Sequence, residues 1–367
     1  MQISRIAVYR TDLPYVGGTY TWGPGRVFEV GDTTVVTIET DAGVYGCGEC
    51  CPMEGNYAEA YPEGVRSAAA RLARALLGQD PRQIGRVERM MDEALKGHGY
   101  AKSAFDAACW DILGKSTGLP VYMLLGGKLS AHAPMYRVVP QAAPDAMAGE
   151  MQKYREAGYR VFQIKVGSDP DGDIERIRAT VPHLKPGERA FVDANTGWRM
   201  DEAVRVVRAV QDLDFYVEQP CLTYEECLHV RRSTSHPMKL DECVGNIRMV
   251  ERMIADRAAE VLSIKVSREG GLTKSRRIRD LCVEHGIALV IEDVWGGEIV
   301  TAAHAHLAVS TPQELLMSST DLHNYTTVST GCPGPAVESG NLFAPEAPGL
   351  GVEPRFDILG EPVHIYE

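Results

Sequence analysis

Six charged side chains stand at the ends of short apolar stretches in the middle of the chain. They are Lys165, Asp193, Glu218, Asp241, Lys265 and Asp293, at spacings of 28, 25, 23, 24 and 28 residues. A buried parallel strand is otherwise almost wholly apolar, and these spacings suit one strand and one helix each. The pattern therefore predicts that the six side chains lie at the carboxyl ends of successive strands, where barrel enzymes carry out their chemistry.

Three of these residues are carboxylates on consecutive predicted strands. Asp193, Glu218 and Asp241 would repel one another strongly if they met without a cation. A hard divalent ion removes that repulsion, and a ligand set made only of oxygen atoms suits Mg²⁺, with Mn²⁺ as a substitute. Asn195 and Glu242 are adjacent candidates for further ligands or for support of the ligands.

Two lysines flank the carboxylates. Lys165 and Lys265 belong to the second and sixth predicted strands, which lie across a barrel from each other. A lysine that is partly desolvated beside a metal ion can act as a base near neutral pH, so two facing lysines could reach both faces of one substrate carbon. The alternative is that both lysines only neutralise the carboxylates.

The elements that position these residues fit a modified (β/α)₈ barrel of the TIM type, within an α/β fold. Eight strands are predicted at 134–139, 161–167, 190–195, 215–220, 237–242, 261–267, 288–294 and 314–320, with helical segments between them. An open doubly wound sheet is the alternative, but no glycine-rich phosphate-binding motif follows any of these strands. We expect an α+β capping domain at 1–130, the barrel at 131–332, and a segment at 333–367 that packs back on the capping domain.

Composition narrows the classes of function. The chain has 367 residues and a formal net charge of −12, and a nucleic-acid-binding protein usually carries a basic face. No apolar run is long enough to span a membrane, and the first residues have no signal-peptide pattern. We therefore expect a cytoplasmic protein that binds neither nucleic acid nor membrane and acts on a small molecule.

Substrate contacts are expected from loops over the barrel mouth. The candidates are Tyr20 and Trp22 in a glycine-rich loop, Glu54, Asn56 and Tyr57 in a second loop, and Asp293, Trp295 and Asp321 after the late strands. A carboxylate or an aromatic face would suit a secondary ammonium group on the substrate. Trp295 could equally be a packing residue.

The segments QIKVG, FVDAN, YVEQP, KLDE and SIKVS resemble the motifs of the enolase superfamily, in its muconate-lactonizing-enzyme-like branch. This resemblance implies that Asp193, Glu218 and Asp241 bind Mg²⁺ and that Lys165 and Lys265 are the acid/base pair. Two departures stand out. Gln163 occupies a position where many relatives have lysine, and no histidine accompanies Asp293, which argues against the His–Asp base of mandelate racemase and of acid-sugar dehydratases.

A finer resemblance points to proline derivatives. MYRVVPQ, EDVWGGEI and SSTDLHNYTT are similar to segments of family members that act on hydroxyproline or on proline betaines. The implied reaction is Mg²⁺-dependent dehydration of cis-3-hydroxy-L-proline to Δ1-pyrroline-2-carboxylate, by α-proton abstraction, enediolate stabilisation and loss of the β-hydroxyl. The alternatives are 2-epimerisation of a proline derivative and a barrel that binds without catalysis. The resemblance also implies a homo-oligomer, either a dimer or an octamer.

Overall fold

The computed structural model describes residues 1–23 and 25–367. It has an amino-terminal unit of strands and helices, an eight-stranded barrel and a carboxyl-terminal segment with short strands. The first unit contains β1 (Ile3–Pro14), β2 (Tyr20–Trp22), β3 (Arg26–Phe28), β4 (Val30–Thr40), β5 (Tyr45–Cys50), α1 (Glu54–Tyr57), α2 (Pro62–Leu76), α3 (Ile84–Ala94), α4 (Gly99–Thr117) and α5 (Val121–Leu124).

The barrel region follows the short strand β6 (Ala133–Pro134). It contains β7 (Tyr136–Val139), α6 (Pro144–Glu156), β8 (Val161–Lys165), α7 (Pro170–Thr180), β9 (Arg189–Asp193), α8 (Met200–Ala209), β10 (Tyr216–Glu218), α9 (Tyr224–Ser233), β11 (Met238–Leu240), α10 (Ile247–Asp256), β12 (Val261–Lys265), α11 (Val266–Glu269), α12 (Leu272–Glu284), β13 (Ala288–Glu292), α13 (Glu298–Val309) and β14 (Leu316–Ser318). Short 3₁₀ helices cover Val181–His183 and Leu322–Tyr325. All eight predicted barrel strands are present, so the predicted fold class is confirmed.

The eight barrel strands pair in the order β7 to β14, and each neighbouring pair is parallel. A parallel bridge between Met135 and Ser319 joins the two edges of this sheet. The register places Asp193 directly between Lys165 and Glu218 on neighbouring strands. Parallel pairing thus brings residues that are more than twenty positions apart in the chain into one row.

The last part of the chain contains β15 (Gly331–Cys332), β16 (Ala336–Glu338), β17 (Asn341–Phe343), β18 (Glu353–Pro354), α14 (Phe356–Leu359) and β19 (His364–Tyr366). β19 pairs with β1, so the amino-terminal sheet has the order β19-β1-β4-β5. The domain boundaries stay a prediction. Within residues 1–23 and 25–367, every helix is too short or too polar to cross a membrane.

Helix α4 packs closely against the amino-terminal sheet. Two glycines of β5 make this approach possible, because a Cβ atom on Gly48 would lie 1.9 Å from the Ala104 carbonyl oxygen, and one on Gly46 would lie 2.3 Å from that of Ala108. On the barrel side, the Trp110 indole donates a hydrogen bond to the Thr273 hydroxyl at 2.9 Å. Helix α4 therefore links the amino-terminal sheet to the barrel.

Candidate active site

A cavity lies at the carboxyl-terminal edge of the barrel, under the amino-terminal loops. It collects nine of the residues that the sequence singles out, together with side chains from β7, β13 and the segment after β14. Its lining consists of Tyr20, Trp22, Met53, Tyr57, Tyr136, Val138, Gln163, Lys165, Asn195, Lys265, Glu292, Asp293, Val294, Trp295, Thr320, Leu322 and Tyr325. Both lysines face this one cavity from strands β8 and β12.

Each lysine is held by a carboxylate. The Lys165 ammonium donates to Asp193 Oδ2 at 2.6 Å and to Asn195 Oδ1 at 3.0 Å. The Lys265 ammonium donates to Asp241 Oδ2 at 2.7 Å and also contacts the Tyr57 hydroxyl. Burial lowers the pKa of both amines, but the adjacent carboxylates outweigh burial and raise the pKa above the usual lysine value.

The three candidate metal ligands are each paired with a cation. Glu218 accepts from the Gln163 amide at 3.0 and 3.1 Å and lies 2.8 Å from the Lys239 ammonium. Burial and the neighbouring Asp193 raise the pKa of Glu218 to about 8. In the described part of the chain, no three carboxylate, histidine or cysteine side chains converge closely enough to hold a metal ion in this arrangement.

The chemistry of the donors nevertheless fits a hard cation. Glu242 accepts from the Asn195 amide at 2.9 Å through Oε1, while its buried Oε2 has no hydrogen-bond partner among the described residues. Burial and the charges of Asp241 and Asp193 raise the pKa of Glu242 to about 8. These carboxylates therefore lie close enough to repel one another, and a divalent cation bound by oxygen atoms would relieve that repulsion.

Aromatic side chains form part of the wall of the cavity. Trp295 packs against Phe28 with ring centroids 4.8 Å apart, and against Tyr20 at 6.2 Å. Trp22 meets Tyr57 edge to face at 5.3 Å over the cavity. The two segments predicted as loops are here a short strand, β2, and a short helix, α1. Trp295 thus both packs in an aromatic cluster and lines the cavity.

The other predicted substrate-binding residues differ in whether they line the cavity. Asp293 lines the cavity, but its carboxylate accepts from the Ser267 amide at 2.9 Å and the Ser267 hydroxyl at 2.8 Å. Asp321 and Glu54 are not among the described residues that line the cavity. Asp321 is paired with Arg137 at 3.0 Å, and Glu54 is exposed. The side chain of Asn56 lies outside the described part of the structure.

The sequence reasoning missed two cations beside the carboxylates, of which Lys239 is buried and Arg268 is partly buried. Lys239 lies on β11 two residues before Asp241, and strand alternation places both on the same face, a signal that was available in the segment KLDE. Arg268 follows Lys265 by three residues and donates to Asp241 Oδ1 at 2.5 Å. Its contact depends on the turn into α11, which periodicity alone does not predict.

Comparisons with known proteins agree with this architecture. The family profile Mandelate racemase / muconate lactonizing enzyme, N-terminal domain matches residues 28–126, and the profile Enolase C-terminal domain-like matches residues 146–358. Cis-3-hydroxy-L-proline dehydratase of Roseibium aggregatum is 50% identical over 366 residues, which cover 100% of both chains.

Solved structures give the same result. The mandelate racemase/muconate lactonizing enzyme from Roseovarius nubinhibens ISM is 56% identical with a TM-score of 0.97, covering 100% of this chain and 98% of that chain. A second protein of this type from the same organism, solved in complex with magnesium, is 35% identical with a TM-score of 0.96 and covers 100% of each chain.

The fold and the site define an enzyme in which a sheet-and-helix unit covers a barrel with two interior lysines. The chain belongs to the enolase superfamily, as its motifs indicate.

Proposed function

We propose that this enzyme dehydrates cis-3-hydroxy-L-proline to Δ1-pyrroline-2-carboxylate. The observation that carries the proposal is that Lys165 and Lys265 line one cavity from strands β8 and β12. The dehydratase from Roseibium aggregatum, which is 50% identical over the whole chain, supports the choice of substrate. Two amines on opposite sides of a small cavity suit a reaction that moves one proton at each face of a substrate.

The substrate carboxylate would lie near the three carboxylates that contact the cavity-lining side chains Lys165, Gln163 and Lys265. Asp193, Glu218 and Asp241 are the residues that would hold Mg²⁺, with Mn²⁺ as the expected substitute, and Asn195 and Glu242 would support them. The bound ion supplies positive charge next to the substrate carboxylate as negative charge builds up there. Binding of the ion would compete with the lysines for Asp193 and Asp241, which would free both amines from their present ion pairs.

The stereochemistry of the cis isomer fits two lysines. Its hydroxyl shares a ring face with the carboxylate, so the hydrogen on C2 is on the opposite face. One lysine takes that proton, and the other, as its ammonium, donates a proton to the departing hydroxyl, which leaves as water. The resulting enamine then tautomerises to Δ1-pyrroline-2-carboxylate.

The remaining wall suits a small cationic ring. Trp295 and Tyr20 offer aromatic faces, and Asp293 offers a carboxylate on the side of the barrel away from Glu218. A secondary ammonium group is stabilised by both kinds of neighbour. The cavity would thereby select a cyclic amino acid over an acid sugar.

A second candidate is 2-epimerisation of a proline derivative such as a betaine. The same two lysines favour it, because protonation of C2 by the second lysine would invert that centre and leave the hydroxyl in place. The two reactions share their first step and differ only in which atom receives the second proton.

Proton NMR of the Mg²⁺-loaded enzyme with cis-3-hydroxy-L-proline in D₂O tests the proposal. We expect conversion to Δ1-pyrroline-2-carboxylate, and Lys165→Ala or Lys265→Ala should reduce its rate by about 10²–10⁴-fold. Lys128→Ala, a change at a surface lysine, serves as the control. Entry of deuterium at C2 with inversion of that centre and retention of the hydroxyl would instead favour the epimerase, and absence of any exchange would rule out cis-3-hydroxy-L-proline as the substrate.

A further inference from the structure

Lys239 is a buried cation beneath the carboxylates of the site. It lies in the middle of β11, its side chain is 0% exposed, and its ammonium is 2.8 Å from Glu218 Oε1 and 3.8 Å from Glu292 Oε1. The ring of Phe191 lies 4.5 Å from the same ammonium. Burial of an ammonium group away from water is costly unless a negative charge compensates it, so Lys239 and Glu218 depend on each other.

Glu218 has a second partner, on the side of β10 away from β11. Gln163 on β8 donates its amide to both oxygens of Glu218, at 3.0 and 3.1 Å. The cation in direct contact with Glu218 is therefore Lys239 of β11, whereas Gln163 of β8 gives it neutral hydrogen bonds. A lysine at position 163 would bring an ammonium to the same carboxylate from the other strand.

We propose that Lys239 is a positioning residue that fixes the Glu218 carboxylate before metal binds. The proposal rests on the proposed role of Glu218 as a metal ligand. Without Lys239, the next cation is Lys165, which pairs with Asp193 at 2.6 Å, and Asp193 lies directly opposite Glu218 on the neighbouring strand. Glu218 would then compete with Asp193 for Lys165, and both the ligand set and the acid/base lysine would be disturbed.

The geometry leads to a specific double-variant test. Lys239→Met keeps the length and apolar stem of the side chain but removes its charge. We expect the Kd for Mg²⁺, measured by titration calorimetry, to rise at least 10-fold, and the melting temperature of the metal-free enzyme to fall. Gln163→Lys alone should also lower the melting temperature, because it places a third ammonium beside Lys165 and Lys239.

The two changes together should rescue each other. In Lys239→Met/Gln163→Lys, one ammonium again faces Glu218, so both the Mg²⁺ Kd and the melting temperature should return to within about threefold and a few degrees of the parent enzyme. Lys102→Met is the matched control. It removes another buried lysine, paired with Asp92 at 2.7 Å, and should lower the melting temperature while leaving the Mg²⁺ Kd unchanged.

Two results would overturn the proposal. One is a double variant with a melting temperature and a Mg²⁺ Kd no better than those of Lys239→Met. The other is a Lys239→Met protein whose Mg²⁺ Kd stays within twofold of the parent value, which would leave Lys239 a packing role only. If the parent enzyme bound no Mg²⁺, the proposed ligand role would fail, while the melting temperatures would still decide whether Lys239 compensates Glu218.

Discussion

At the scale of single residues, Tyr57 joins the amino-terminal unit to Lys265, one of the two proposed acid/base lysines of the barrel. Its hydroxyl contacts the Lys265 ammonium and lies 3.4 Å from Asp241 Oδ2, while its ring packs against Trp22. A phenol that is hydrogen-bonded to an amine orients that amine as well as stabilising it. Helix α1, which ends at Tyr57, thereby helps to place Lys265 toward the cavity.

Tyr57→Phe tests this role with a minimal change, because the ring stays and only the hydroxyl is lost. A hydrogen bond to a charged group contributes about 1.5–3 kcal/mol, so we expect kcat to fall about 10-fold to 100-fold and KM to change much less. Steady-state kinetics would show the difference, with Tyr122→Phe as control, since the Tyr122 hydroxyl contacts Glu346 outside the cavity. An unchanged kcat would mean that the hydroxyl does not orient Lys265.

At the scale of secondary-structure elements, Glu49 of β5 caps a helix in the barrel. Its carboxylate accepts the backbone N–H groups of Gly297 at 3.0 Å and Val300 at 3.1 Å, at the amino terminus of α13. It also accepts the hydroxyls of Thr33 and Thr330. The first N–H groups of a helix have no partner within the helix, so a strand of the amino-terminal unit supplies one.

Glu49→Ala should weaken both the fold and substrate binding. Loss of a cap and of buried hydrogen bonds costs about 2 kcal/mol in free energy of unfolding. Because α13 directly follows the segment that carries Asp293 and Trp295, we also expect KM to rise. Urea unfolding and kinetics would measure the two effects, and Glu39→Ala, on the more exposed face of the same sheet, should change neither.

At the scale of the whole molecule, the fold buries groups that gain charge in acid. Burial lowers the pKa of His304 to about 3 and that of His306 to about 4, and both lie on α13 in the interior. In the unfolded chain a histidine titrates near 6.5. Below that pH the unfolded state binds more protons than the folded state, so acid destabilises the fold.

His304→Leu should therefore change the pH dependence of stability in a defined direction. The contribution of neutral His304 is fully present above about pH 6.5 and is lost as the pH falls, by about 1.4 kcal/mol for each pH unit. Between about pH 6 and 4, the free energy of unfolding of the variant, relative to that of the parent, should therefore rise by that amount for each pH unit. Urea unfolding at several pH values would measure it, and parallel pH curves for the two proteins would contradict the expectation.

The fold and much of the cavity followed from local patterns in the sequence. Short apolar runs ending in Lys165, Asp193, Glu218, Asp241, Lys265 and Asp293 predicted a parallel barrel, because buried strands of such a barrel are apolar except at the edge that carries chemistry. All eight strands appear where the pattern indicates them, and Lys165 and Lys265 line one cavity. These positions could be predicted because each strand and the helix after it have a characteristic length, which can be recognised within a short stretch of sequence.

Tertiary structure alone decided which partners these groups have. Three such pairs join residues from different secondary-structure elements: Lys239 with Glu218, Arg268 with Asp241, and Tyr57 with Lys265. The packed structure also pairs Asp321 with Arg137. Asp321 therefore does not line the cavity, although the sequence predicted that it would contact the substrate. Periodicity states which face of an element a side chain occupies, but the choice among neighbouring charges depends on distances that only the packed barrel and its covering loops determine.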